Sequence, residues 1–111
     1  MPKHEFGIID DLSNNKYLYE QYEPKKYHCI SVDDDYIEPL LPELRDMDTF
    51  FHNTSRPDKG LAYWGITLIP PASFYIFKMI LLTKDKGIYL KLIKIIEKAA
   101  KENKYIIHYG I

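Results

Sequence analysis

Residues 61–69, Leu-Ala-Tyr-Trp-Gly-Ile-Thr-Leu-Ile, are an almost unbroken apolar run bounded by Gly60 and by Pro70-Pro71. Aromatic and β-branched residues between such breakers predict a strand, and the lack of polar alternation places it centrally, with both faces covered. Pro71 is preset for a first helical turn. A helix over 72–83 follows, with Phe74, Phe77, Met79, Ile80, Leu81 and Leu82 on more than one face. A buried strand that hands over to an apolar helix needs a layered arrangement of sheet and helices.

The remaining segments supply those layers. Strands are expected at 4–9, at 27–32, where Asp33-Asp34-Asp35 stops the run, and at 104–111. Residues 12–26, with Ser13, Asn14, Asn15 and Pro24, read as loop. Ile37, Leu40, Leu41, Leu44, Met47 and Phe51 recur at three- and four-residue spacings, which predicts an amphipathic helix over 40–52. Asp35 and Glu38 resemble a capping box ahead of it, but Pro39 and Pro42 cannot both sit inside a regular α-helix, so 35–39 is expected to be a turn. Residues 52–60 carry the chemistry of an exposed loop. A last helix over 88–103 sets Tyr89, Leu92, Ile93, Ile96, Ala99 and Ala100 on one stripe, opposite Lys91, Lys94, Lys98 and Lys101. The expected fold is a single α+β domain over 1–111, a small mainly antiparallel sheet of about four strands with about three helices packed on it.

Composition narrows the functions. With 15 Lys+Arg against 16 Asp+Glu the net charge is -1, which lacks the basic excess of a nucleic-acid binder. The one cysteine, Cys29, cannot close an internal disulfide, and no Cys/His spacing offers a zinc site. The opening Met1-Pro2-Lys3-His4-Glu5 lacks the pattern of a secretory signal, and the apolar stretch 66–82 is interrupted by Pro70, Pro71, Ser73 and Lys78. A cytoplasmic protein with no membrane span is expected. Neither GxxxxGK[ST] nor GxGxxG occurs, and no cofactor is expected.

Three stretches carry a resemblance: Tyr27-His28-Cys29-Ile30-Ser31-Val32-Asp33-Asp34-Asp35-Tyr36-Ile37, the run from Gly60 through Tyr63-Trp64-Gly65 to Pro70-Pro71, and the opening His4-Glu5-Phe6-Gly7-Ile8. In these the chain resembles a group of small bacterial cytoplasmic proteins to which no activity attaches. The resemblance implies a bacterial, cytoplasmic origin and carries no functional residue.

Several constellations invite chemistry, each with a plainer alternative. Asp33-Asp34-Asp35 sits between a strand and a helix; it receives a basic partner or a cation, or it caps the helix and interacts with its dipole. The alternating acidic positions of a calcium loop are absent. His4, His28, His52 and His108 are dispersed in sequence. If the first and last strands pair, His4 and His108 meet and could form an acid/base couple with Glu5, Asp10 or Asp11; otherwise they are ordinary strand histidines. Cys29 lies mid-strand, without the helix start that lowers a thiol's pKa, and reads as a buried structural thiol. The chain has 10 tyrosines, and Tyr17, Tyr19, Tyr22 and Tyr27 cluster beside Glu20 and Glu23. Such rings either cover the core or form a contact surface, since tyrosine is a frequent interface anchor. Arg56 and Lys59 offer an anion contact or simply a solvated loop.

The leading functional expectation is a protein-binding module of the inhibitor, adaptor or toxin-immunity type. It would engage a protein partner of basic character through Tyr17, Tyr19, Tyr22, Glu20, Glu23, Asp33 and Asp34. The alternative is a small metabolic or hydrolytic enzyme, with His108 or His4 as general base and Asp33 or Asp35 as its partner or as a metal ligand. A homo-oligomer that buries helix 72–83 between subunits is compatible with either.

Overall fold

The first and last strands lie side by side. In a computed structural model, which describes residues 2–10, 19–84 and 86–111, β1 (Lys3–Ile8) and β6 (Ile106–Tyr109) pair antiparallel, with Phe6 opposite His108 and Ile8 opposite Ile106. β2 (Ile30–Asp33) flanks β1 and β5 (Ile66–Ile69) flanks β6. β3 (Asp48–Phe51) and β4 (Pro57–Lys59) extend the sheet beyond β5, giving the order β2-β1-β6-β5-β3-β4 with every neighbour antiparallel. The sheet thus has six strands, not about four.

Because side chains alternate across a strand, register decides which residues meet. The row Phe6, His108, Thr67 faces one way, and the row Gly7, Ile107, Leu68 faces the other. On the first side Phe6, Ile8, Ile69 and Ile106 are covered by three helical runs. α1 (Asp34–Ile37), a 3-10 turn (Glu38–Leu40) and α2 (Leu41–Leu44) make the first run; α3 (Phe74–Leu82) and α4 (Lys86–Glu102) make the others. α4 buries Tyr89, Leu92, Ile93, Ile96 and Ala99 and leaves Lys91, Lys94, Lys98 and Lys101 in water, as its periodicity predicts; Ala100, counted with the apolar stripe, is exposed. Each fully buried Leu or Ile contributes about 1.5–3 kcal/mol, so this stripe, more than helix propensity, holds α4 in place.

The other side of the sheet carries no helix among the described residues. Ile9, Ile66, Leu68, Ile107 and Tyr109 pack there beneath Tyr19 and Tyr27 of the segment that precedes β2. Gly7 permits that cover, since a Cβ on it would stand 2.5 Å from the Tyr27 carbonyl oxygen and 2.7 Å from Cys29 Sγ. No helix among the described residues is long and apolar enough to cross a membrane.

Further expectations need correction, beginning with the strand at 27–32, which runs from Ile30 to Asp33 and leaves Cys29 outside it. The helix over 40–52 is replaced by the broken run of α1, 3-10 turn and α2, followed by β3. Pro39 and Pro42 each sit at the start of a new short segment, where a missing N–H costs nothing. Residues 52–60 are not loop throughout, because β4 pairs with β3; all three of its residues are exposed, and Pro57 and Lys59 are residues that edge strands tolerate. The strand over 61–69 begins only at Ile66, since 62–65 form a turn closed by Gly65 N–H donating to the Ala62 carbonyl.

Candidate functional site

The strand order brings His4 and His108 together under the helices. His4 stands on β1, His108 on β6 and Thr67 on β5, and both imidazoles are 0% exposed. Their rings stack with centroids 5.1 Å apart, and His4 Nδ1 lies 2.9 Å from His108 Nε2. His4 Nε2 is 2.8 Å from Asp34 Oδ1, Tyr63 Oη donates to Asp34 Oδ2 at 2.7 Å, and His108 Nδ1 is 3.1 Å from Thr67 Oγ1.

The Asp34 end of this chain of bonds assigns the first proton. The bonds from His4 and Tyr63 hold the Asp34 carboxyl below its ordinary range, so it is an acceptor and His4 Nε2 carries the hydrogen. His4 Nδ1 and His108 Nε2 share one hydrogen, and His108 Nδ1 and the Thr67 hydroxyl share another. Thr67 Oγ1 in turn accepts the Ala62 N–H at 2.8 Å. Burial, with His4 beside it, depresses the His108 pKa well below the imidazole range. The bond to Asp34 pushes the Tyr63 phenol up to about 12. No buried side-chain nitrogen or oxygen among the described residues lacks a partner. The network is closed, and what it does is tie β1, β5 and β6 to the start of α1 and to the 62–65 turn.

The acidic run therefore divides. Asp33 caps α1, its Oδ1 accepting the Asp35 N–H at 2.9 Å, so the cap lies two residues before the one expected. Asp34 turns inward, and Asp35 is exposed. The carboxylate that completes the histidine pair is thus Asp34 and neither Asp33 nor Asp35. Glu5 points to the opposite side of the sheet, and Asp10 pairs with Lys104 at 3.0 Å. Asp11 and Tyr17 lie outside the described residues. Among the described residues no three His, Cys, Asp or Glu side chains converge so as to hold a metal ion.

The tyrosine-rich segment divides too. Tyr19 and Tyr27 are core residues, whereas Tyr22 is 60% exposed and donates its hydroxyl to Glu5. Glu20 is exposed, and Glu23 is half-buried and pairs with Lys26 at 3.7 Å. Burial and the nearby Glu5 push the Cys29 thiol up to about 12, the opposite of what a nucleophile needs. In the 52–60 segment Arg56 is exposed and Lys59 pairs with Asp48. On α3, Phe74, Phe77 and Leu81 face the core, while Tyr75, Ile76 and Met79 are exposed.

An open depression of about 390 Å³ lies on the side of the sheet away from the helices. Trp64 and Tyr22 stand at its walls with His52 and Glu20, and Ile66, Tyr109 and two glycines, Gly65 and Gly110, complete its lining. Trp64 is 80% exposed, the most open large apolar side chain among the described residues. The turn that presents it is fixed: Ile111 N–H donates to the Tyr63 carbonyl at 2.9 Å, and Gly110 N–H to that of Gly65 at 2.8 Å. Trp64 also meets the Tyr63 ring edge-on at 5.0 Å.

His52 forms the opposite side through an uncommon backbone. Its φ is 65°, a left-handed conformation that non-glycine residues adopt only when their surroundings enforce it. Here three bonds do so: His52 N–H to the Ile66 carbonyl at 3.1 Å, Tyr19 N–H to the His52 carbonyl at 2.7 Å, and His52 Nδ1 to the Tyr19 carbonyl at 2.9 Å. A carbonyl only accepts, so Nδ1 carries the hydrogen and the neutral ring presents Nε2 as an acceptor beside Gly65.

Trp64 and His52 are not legible as site residues in the sequence, because the first lies in a strand-like run and the second opens a segment with the chemistry of a solvated loop. The signal for Trp64 was Gly65, a turn-former inside an otherwise strand-like run. A second depression, of about 510 Å³, opens on the far side of Tyr22, where Lys3, Lys25 and His28 surround Glu5 and Cys29. No family model, no curated protein and no solved structure matches this chain.

Proposed function

We propose that this chain is a protein-binding module of the inhibitor, adaptor or toxin-immunity type whose contact surface is centred on Trp64 and Tyr22. The observation that carries the reading is Trp64, a large apolar side chain left 80% exposed on a turn fixed by hydrogen bonds at the mouth of a depression. Exposed aromatic anchors of this kind dominate the binding energy of interfaces. The surroundings suit a basic partner. Glu20 is the one carboxylate among the described residues that line the depression. Such complementarity steers encounter and fixes register.

The test is capture from a lysate of the source organism with the tagged protein, in parallel with its Trp64→Ala variant. A stoichiometric partner retained by the wild type and lost from the variant, with both melting alike, supports the reading. Equal retention by the two proteins overturns it.

A second reading, an acid/base enzyme, draws support from the convergence of His4, His108, Asp34 and Tyr63. It requires this closed cluster to open toward a substrate, with Tyr63 leaving Asp34. Turnover of any screened ester, amide or phosphoester that Tyr63→Phe alters without unfolding would favour it.

A further inference from the structure

We propose that the depression between Trp64 and Tyr22 receives one arginine side chain of the partner protein, the guanidinium lying against the aromatic walls and donating to Glu20 and His52. This rests on the binding reading above and names the group that the surface recognises.

Among the described residues the lining of the depression contains one carboxylate, Glu20, and no lysine or arginine. His52 is locked by the Tyr19 carbonyl into the tautomer whose Nε2 is an acceptor. Trp64 and Tyr22 also line the depression, and aromatic rings attract cations to their π-faces. A ligand is therefore met by acceptors and aromatic rings, and the matching chemistry is a cation rich in donors. Guanidinium fits better than ammonium, because it is planar, stacks on aromatic rings and spreads five N–H donors as a fork. The depression across Tyr22 provides an internal contrast, since Lys3, Lys25 and His28 line it and would repel the same ligand.

The walls are also held ready. Tyr22 is anchored by its hydroxyl on the buried Glu5 carboxylate, and its ring meets Tyr109 edge-on at 5.1 Å. Trp64 leans on Tyr63, whose hydroxyl is held by Asp34 on the other side of the sheet. Two tyrosine–carboxylate bonds, one from each side of the sheet, thus fix the two aromatic walls. Groups already ordered in the free protein lose little freedom on binding.

Trp64 is the chain's one tryptophan, so its emission reports on this depression alone. The experiment titrates the whole chain with N-acetyl-arginine amide and, in parallel, with the citrulline derivative, a neutral group of nearly the same shape, at constant ionic strength. The expected result is a saturable change with arginine in the millimolar range, several-fold weaker with citrulline. Glu20→Gln, at an exposed position, should weaken arginine about three- to fivefold, as loss of an exposed ion pair does, and affect the citrulline response less, since that probe carries no charge. Equal responses to the two probes, or no saturable change, overturn the assignment. If the probe fails while Trp64→Ala still abolishes partner capture, the arginine assignment falls and the binding surface stands. If capture is also indifferent to Trp64, both fall.

Discussion

The molecule assembles histidine, tyrosine and carboxylate twice, on opposite sides of one sheet, with opposite results. Under the helices, His4, His108, Tyr63 and Asp34 are enclosed, and the ring nitrogens of both histidines are engaged inside the protein. On the other side His52, Tyr22 and Glu20 stand around an open depression, and one imidazole nitrogen, one carboxylate and the ring of Trp64 face outward. The residue types are shared; access differs. A closed polar network specifies one packing, because any displaced member leaves a buried group unpaired. An open one leaves acceptors for a ligand. The 62–65 turn joins the two, with Tyr63 reaching into the first and Trp64 bordering the second.

The sharpest way to break this comparison is to remove a member of the closed cluster. His108→Ala deletes a fully buried ring and leaves His4 Nδ1 and the Thr67 hydroxyl without their partner. Cavity and unpaired groups together are expected to cost about 2–5 kcal/mol, read as a lower urea midpoint with an unchanged slope. If His108 served mainly in catalysis, the variant would instead keep its midpoint and lose a turnover.

The shared turn gives the next largest effect. A Cβ on Gly110 would stand 2.1 Å from the Tyr63 carbonyl oxygen, a backbone atom that cannot swing aside. Gly110→Ala should displace the turn, destabilise the protein by about 1–3 kcal/mol and shift Trp64 emission in the same variant. A stability loss with unaltered emission would show that the closed cluster and the open depression move independently.

Acid separates the two regions without mutation. His108 stays neutral in the folded chain, facing His4, Phe6 and Thr67, while in the unfolded chain it binds a proton near pH 6.5. The unfolded state therefore gains protons first. Stability is complete above about pH 7 and falls as pH drops below 6.5 toward the folded value, by up to about 1.4 kcal/mol per pH unit for this one proton. Asp34 acts lower: its depressed pKa adds stability that is present above about pH 4 and is lost as pH falls through the folded value. Urea midpoints from about pH 7.5 down to 5 check the first window, and a flat profile there would mean that His108 is charged or exposed in the native state.

The sheet's central part was legible in the sequence because four strands announce themselves by apolar content. Pairing of the first and last strands, which the sequence leaves as a condition, is what brings His4 to His108. Pro39 and Pro42 argued correctly against a regular helix, but β3 stayed hidden because Leu44, Met47 and Phe51 fit a helical period as well as Thr49-Phe50-Phe51 fits a strand. β4 carries no apolar signal, since an edge strand of Pro, Asp and Lys exists only through its pairing with β3. The candidate site was legible in residue type and not in orientation. Asp33, Asp34 and Asp35 are identical in sequence and differ only in which way the start of α1 turns each one. Tyr19 and Tyr22, three residues apart in one loop, end in the core and in solvent respectively.

The smallest effect on stability should be the most informative about function. Trp64→Ala removes a ring that is 80% exposed together with its edge-on contact to Tyr63, but the turn beneath it is held by backbone bonds from Ile111 and Gly110 that the substitution spares. Its cost is expected to stay within about 0.5 kcal/mol, the range of ordinary surface changes. If the open depression is a contact surface, the same substitution should cost a partner about 2 kcal/mol or more, the scale of an interface anchor and roughly thirtyfold in Kd. Tyr19→Ala should do the reverse, lowering the urea midpoint because its ring covers Ile66 and Tyr109. Measured together, the two variants separate a ring that closes the sheet from a ring that the sheet holds out. A Trp64→Ala protein that melts early would place Trp64 with Tyr19 as part of the cover, and the contrast between the two sides of the sheet would then lose its functional meaning.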